Sequence, residues 1–195
     1  LIQRNGEWRE RAVELAEGGG FAFTDISAHA GLLAQIPSGL PAPKEGDILE
    51  LAPVRNEYLR QALRLIKPNG GVALFLDYGH ERPGYGDTVQ AMKRHHFAPV
   101  LLEPGGVDLT AHVDFAALGK VAEEEGAEIS GPITQGLFLL NLGMAERAEA
   151  LIAANPDRRE EIEKALHRLT HSDEMGRIFK TIGFSYGING GPPGF

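Results

Sequence analysis

Residues 72–78 read "VALFLDY", and the reading of this run decides the fold. It is a continuous apolar stretch between "PNGG" and Gly79. Such a run between turn signals predicts a strand buried on both faces, as in a parallel sheet covered by helices. It ends in a polar tip, Asp77, Tyr78, Gly79 and His80. In an open parallel sheet, ligands lie beyond the carboxyl ends of the strands, so polar groups there can reach a bound molecule. Asp77 also has an architectural reading, as a turn cap that accepts backbone N–H bonds.

Upstream, Pro53 suits a first helical turn. Tyr58, Ala62, Leu63 and Ile66 recur at helical spacing, which predicts an amphipathic helix over 53–67. "GDILEL" (46–51) predicts a short strand, which makes strand, helix, strand a βαβ unit. "WRERAVEL" and "FAFTDIS" flank "EGGG" and predict a hairpin. The Pro- and Gly-rich residues 30–46 predict a loop with a short helical turn.

Downstream, "TVQAMKRHHF" has no clean period and reads as a short helix or an extended piece. Phe115, Leu118, Val121 and Ala122 predict a helix over 112–126 closed by Gly126. "AEISGPITQ" (127–135) predicts a strand and turn, with two short helices after it in "GLFLLNLG" and "MAERAEALIAAN". Asn155 as N-cap and Pro156 predict a helix over 156–170, with Ile162, Ala165, Leu166 and Leu169 as its apolar stripe. "RIFKTIGFSYG" (177–187) predicts a closing strand. The order predicts an α/β fold, the second half of a doubly wound sheet.

Composition narrows the function. A net charge of -8 with scattered Lys and Arg argues against a nucleic-acid binder, because neutralising phosphates needs clustered cations. Cysteine is absent, which excludes disulfides, thiolate-ligated zinc and thiol catalysis. No apolar run approaches the roughly 20 residues that span a bilayer. The chain opens on Leu1 inside a polar phrase, so an upstream portion is expected.

The polar phrases each carry an alternative. "LFLDYGHERPGYG" starts like a methyltransferase cofactor motif, but Glu81 stands where a second glycine should be, and Gly84 and Gly86 come too late. No Walker loop or complete dinucleotide fingerprint occurs. His95 and His96 are adjacent and do not face one way, so they predict no metal site. Asp108, Thr110, His112 and Asp114 could ligate a metal, but helix capping by Thr110 or a neighbour and a favourable Asp114 at the helix start explain them better. Thr134 and Gln135 come after a strand end and are either ligand-facing or turn-forming. No nucleophile elbow is present.

"GGVALFLDYGH", "DTVQAMKRHHF", "DLTAHVDFAAL", "GPITQGLFLLNLG" and "MGRIFKTIGFSYG…PPGF" together resemble the carboxyl-terminal half of the MidA-like methyltransferase family. The mitochondrial member of that family is an arginine methyltransferase needed for respiratory complex I assembly. The resemblance runs from "EWRERAV" to the tail. It implies a class I, Rossmann-like fold, here a partial doubly wound sheet with an inserted β-hairpin and an antiparallel final strand, "RIFKTIGFSYG". It implies S-adenosyl-L-methionine as cofactor and a protein carrying a target arginine as substrate. The family's glycine-rich loop and ribose-holding acid have no counterpart here, so no cofactor-binding residue is assigned, and no metal is expected. On this reading 1–195 is the carboxyl-terminal part of one domain, with 1–46 an inserted hairpin and loop and 47–195 the sheet-completing half.

Given that reaction, Asp77 and Glu81, acids near the expected pocket at the strand tip, are the expected substrate-side, catalytic groups. Tyr78, His80, Gln90, Thr110, His112 and Gln135 are the expected pocket-lining residues. No nucleic-acid or membrane partner is expected, and a homo-oligomer is allowed for. The expected location is the cytoplasm for a bacterial protein and the mitochondrial matrix for a eukaryotic one. Two alternatives stand beside this: a metal-dependent hydrolase using Asp77, His80, His112 and Asp114, and a non-catalytic partner docking on an amino-terminal chain. Acting alone, these residues are expected to be inactive.

Overall fold

The computed structural model describes residues 1–188 and 190–195. In chain order the elements are β1 (Ile2–Arg4), β2 (Glu7–Leu15), β3 (Phe21–Ser27), α1 (Ala30–Leu33), α2 (Pro53–Ile66) and β4 (Gly71–His80). Next come β5 (Gln90–Lys93), β6 (His96–Ala98), β7 (Asp108–Thr110), β8 (Val113–Asp114), α3 (Phe115–Glu125) and β9 (Glu128–Thr134). The chain closes with α4 (Gln135–Asn141), α5 (Met144–Ala154), a 3-10 turn at Pro156–Arg158, α6 (Arg159–Thr170), α7 (Met175–Ile178) and β10 (Phe179–Tyr186). It forms two compact units, one of residues 1–53 and 83–112, the other of 54–82 and 113–195. Residues 1–46, read from sequence as an insertion, fall in the first.

The first unit holds two small antiparallel sheets, ordered β1-β2-β3 and β6-β5-β7. The expected hairpin is β2–β3, with Leu15 opposite Phe21. A second hairpin joins β1 to β2 through Asn5 and Gly6, both at positive φ (52° and 83°). Two such residues suit the twist of a two-residue hairpin, and Asn-Gly is the pair that adopts it most readily. "TVQAMKRHHF" resolves the same way: Arg94 and His95, at φ 50° and 65°, turn β5 into β6. His95 is thus a turn residue.

The expected strand at 46–51 does not form. Ile48 makes one isolated bridge to Ile2, and Leu1 and Leu49 exchange backbone hydrogen bonds. A turn from Lys44 to Asp47 and the start of α2 at Pro53 leave too little chain for a ladder. The carboxylate of Glu50 instead accepts from the backbone N–H groups of Thr88 (2.8 Å) and Val89 (3.2 Å) and from the Thr88 hydroxyl.

The second unit is built on a four-stranded sheet, ordered β8-β4-β10-β9. The predicted βαβ unit is therefore corrected: β4 runs parallel only to the short β8. β10 lies between β4 and β9, antiparallel to both, as the family resemblance implied. Leu59 and Leu63 of α2, Phe115, Leu118, Val121 and Ala122 of α3, and Ile182 and Phe184 of β10 make one buried core. Phe75 meets Phe184 edge-on at 5.8 Å between ring centres. The expected face of α3 is the buried one, and Gly126 closes it at φ 75°, in the left-handed region that glycine tolerates.

β4 is not buried on both faces. Side chains alternate across a strand, and Val72, Leu74 and Leu76 are 38%, 44% and 42% exposed. The carboxyl-terminal tail covers the neighbouring strand on that side: an added Cβ at Gly183 would stand 3.1 Å from both Pro192 and Phe195. β8 pairs with β4 only at Gly79 and His80, so among the described residues one edge of β4 carries no strand along Gly71–Tyr78. The Asn155 side chain makes no capping hydrogen bond, and the predicted helix at 156–170 splits into the 3-10 turn and α6. No described helix is long and apolar enough to cross a membrane.

Candidate functional site

The carboxyl end of β4 gathers charge from four elements of the second unit. Asp77 lies opposite Lys180 of β10, and its Oδ1 accepts the Tyr78 backbone N–H at 2.8 Å. The Lys180 amine stands 3.7 Å from the Glu81 carboxylate and donates to the Arg177 carbonyl. Tyr78 faces Phe179, ring edge to ring face at 5.4 Å. By strand alternation Asp77 shares the face of Phe75, and Tyr78 the face of Leu74 and Leu76. Tyr78 and Asp77 are therefore neighbours in sequence but look to opposite sides.

His80 pairs in register with Asp114 of β8, and its Nδ1 lies 2.7 Å from the Arg82 carbonyl and 4.0 Å from Asp114 Oδ1. Asp114 caps α3, accepting from the Ala117 N–H at 3.0 Å, so a neighbour of Thr110 is the cap. Asp114 also faces Arg55, in the first turn of α2. Burial holds the Arg55 guanidinium below its ordinary pKa, and the Asp114 charge partly restores it. The Arg55 Nε is buried with no hydrogen-bond partner, while its Nη2 donates to Asn56 at 3.3 Å. Arg55 and Lys180 carry no motif, so sequence reading passed over them. An arginine beside Pro53 at a helix start and a lysine early in the closing strand were the available signals.

Gly79 binds this tip together. An added Cβ there would stand 2.0 Å from the Val113 carbonyl oxygen, so only glycine lets β8 lie against β4.

The other sequence candidates have structural partners of their own, and Thr134 is the Cα partner of Lys180 on β9. Gln135 is buried in α4 and donates from Nε2 to the Leu169 carbonyl of α6 at 2.8 Å. Thr134 caps α4 through the Leu137 N–H. Gln90 and Thr110 are cross-strand partners on β5 and β7 of the first unit, and the His112 backbone N–H donates to Thr88 Oγ1 at 2.9 Å.

S-adenosyl-L-methionine, implied by the resemblance, needs a cradle for a nucleoside and an amino acid. The described residues do not fit that need. β8 and β9 run straight into α3 and α4, whose first turns are already capped by Asp114 and Thr134, and no glycine-rich turn intervenes. Holding the cofactor is assigned to no residue of this chain.

The profile of the family described as "Putative S-adenosyl-L-methionine-dependent methyltransferase" matches residues 1–133. A Drosophila melanogaster relative, "Protein arginine methyltransferase NDUFAF7 homolog, mitochondrial", is 34% identical over 94% of this chain and 43% of its own length. The Danio rerio "Protein arginine methyltransferase NDUFAF7, mitochondrial" is 39% identical over 59% of this chain and 27% of its own. A Burkholderia thailandensis protein solved with S-adenosyl-homocysteine superposes with a TM-score of 0.87 at 27% identity, covering 100% of this chain and 51% of the other. The chain thus spans about half or less of the length of these relatives. With a profile that covers more than half of its residues, the chain belongs to this S-adenosyl-L-methionine-dependent methyltransferase family.

Proposed function

We propose that this chain is the sheet-completing half of a protein arginine methyltransferase, and that it supplies the substrate side of the active site. The observation that carries the proposal is the superposition of all of its length on half of a protein holding S-adenosyl-homocysteine. The open edge of β4 and the exposed Val72, Leu74 and Leu76 are where the rest of the sheet and its covering helices would continue. Neither the hydrolase nor the docking-subunit alternative is favoured by the relatives' names.

The cofactor's sulfonium supplies an electrophilic methyl group when bound. The work assigned to this chain is electrostatic. A guanidinium is planar and always charged, and carboxylates hold it in a fixed plane through paired hydrogen bonds. We assign Asp77 to that contact through the oxygen that does not accept from Tyr78, with Glu81 beside it. Lys180 limits the negative charge at the tip, so a cation is drawn in without two unpaired acids. Tyr78 and His80, which strand alternation puts on the other side of β4 from Asp77, are not assigned to this contact. Orienting the nitrogen lone pair toward the methyl donor is worth more than raw affinity, because it acts in the transition state. For a bacterial source we place the protein in the cytoplasm, and for a eukaryotic one in the mitochondrial matrix.

The test is label transfer. The complete protein carrying this chain is incubated with methyl-labelled S-adenosyl-L-methionine and extract from cells lacking it. Label recovered as methylarginine after hydrolysis is the expected result. Label recovered on another residue or on a small molecule overturns the proposal.

A further inference from the structure

The end of α6 carries chemistry that methyl transfer does not use. His167 and His171 stand four residues apart, one helical turn, and His171 is the cap residue whose N–H still donates to the His167 carbonyl at 2.8 Å. Residues at that spacing share one face of a helix. Their rings stack at 4.2 Å between centres and 16° between planes. Both rings turn toward one carboxylate oxygen: His167 Nε2 is 3.9 Å from Asp173 Oδ1, and His171 Nδ1 is hydrogen-bonded to it.

We propose that His167, His171 and Asp173 form a site for a divalent cation of the zinc, nickel and copper group. One ligand atom from each residue lies within 4.8 Å of the other two. Tetrahedral zinc with nitrogen ligands at about 2.0–2.1 Å needs ligand atoms about 3.3 Å apart, which small side-chain rotations reach. Two imidazoles select these ions over magnesium or calcium, which prefer oxygen. The three residues are exposed, so water completes the coordination and the ion exchanges.

The surroundings favour a cation and hold the ligands in place. The site lies at the carboxyl end of α6, the negative end of the helix dipole. The Asp173 carboxylate adds negative charge beside the two rings, and binding an ion there exchanges its hydrogen bond with His171 for a bond to the metal. The backbone is fixed from beneath. Gln135 Nε2 donates to the Leu169 carbonyl, and the Glu174 and Gly176 N–H groups both donate to the His171 carbonyl. At Gly176 an added Cβ would stand 2.1 Å from the Thr170 carbonyl oxygen, so the turn closes tightly on α6. An ion here would pin the end of α6 to the turn that leads through α7 into β10.

The test is titration of the untagged full chain with zinc chloride by calorimetry. Cobalt absorption and thermal melting are measured in parallel, with magnesium chloride as the reference. The expected result is one equivalent of zinc at micromolar affinity, a visible cobalt band, and a melting temperature raised by several degrees at saturation. His167→Gln and His171→Asn should each weaken zinc at least tenfold with an unchanged circular dichroism spectrum. His96→Ala should not. Equal zinc binding by the His167→Gln and His171→Asn proteins, or a magnesium effect as large as that of zinc, overturns the proposal. If His171→Asn fails to fold, the exposed His167→Gln variant decides alone.

Discussion

Asp77 and Lys180 are Cα partners across the antiparallel pair β4 and β10. The strand tip is therefore a mixed-charge edge, with Glu81 3.7 Å from the same lysine. If Asp77 orients a guanidinium, Asp77→Asn keeps the shape and loses the charge. The complete enzyme should retain its melting temperature and cofactor affinity while methyl transfer falls at least tenfold, about 1.4 kcal/mol in the barrier. Steady-state kinetics beside a melting curve check this, and full turnover in a folded Asp77→Asn protein excludes the role.

Asp114 has two duties that substitution can separate. It caps α3, and it stands near the partly desolvated Arg55. Asp114→Asn keeps a capping oxygen, whereas Asp114→Ala removes cap and charge together. Asp114→Ala should cost about 1–2 kcal/mol more than Asp114→Asn in urea unfolding, the usual worth of a cap. Equal losses would show that the charge facing Arg55 dominates.

Gly79→Ala tests the contact between β4 and β8. Its Cβ would meet the Val113 carbonyl at 2.0 Å, and backbone cannot step aside as a side-chain tip can. Destabilisation of at least about 2 kcal/mol is expected, in line with forced overpacking. Gly84→Ala, where an added Cβ meets nothing within 4 Å, is the matched control and should change little.

Leu166 lines a groove of about 150 Å³ between α5 and α6, with Leu151 and Ile162. It is half-buried, so Leu166→Ala should cost about 1–2 kcal/mol rather than the 2–5 of a fully buried leucine. Denaturant melts at equal m-value measure it. A loss above that range would mean the groove is filled in solution.

Local patterns were legible and pairing was not. The stripe of Phe115, Leu118, Val121 and Ala122, with Gly126 after it, specifies α3 within its own residues, and the structure buries that stripe. "GDILEL" has strand composition, yet a ladder needs a partner of matching length, and β1 spans only Ile2–Arg4. The polar tip at Asp77 and His80 was visible as an interruption of an apolar run. Its cationic half was not, because Arg55 and Lys180 reach it from α2 and β10. His167, His171 and Asp173 were readable in "HRLTHSD" as a helical one-turn spacing with an acid after it.

The open edge of β4 has a consequence for any laboratory that isolates these residues. The edge of β4 that carries no strand among the described residues, next to exposed Val72, Leu74 and Leu76, offers a template for another chain's strand. Copies should self-associate through that edge as concentration rises, giving soluble oligomers first and precipitate later. Leu74→Lys would set a charge beside the edge and should keep the chain monomeric in sedimentation runs. The same substitution in the complete protein would put a charge where the remaining sheet is proposed to be covered, so a gain in solubility of the piece should come with a loss of stability in the whole.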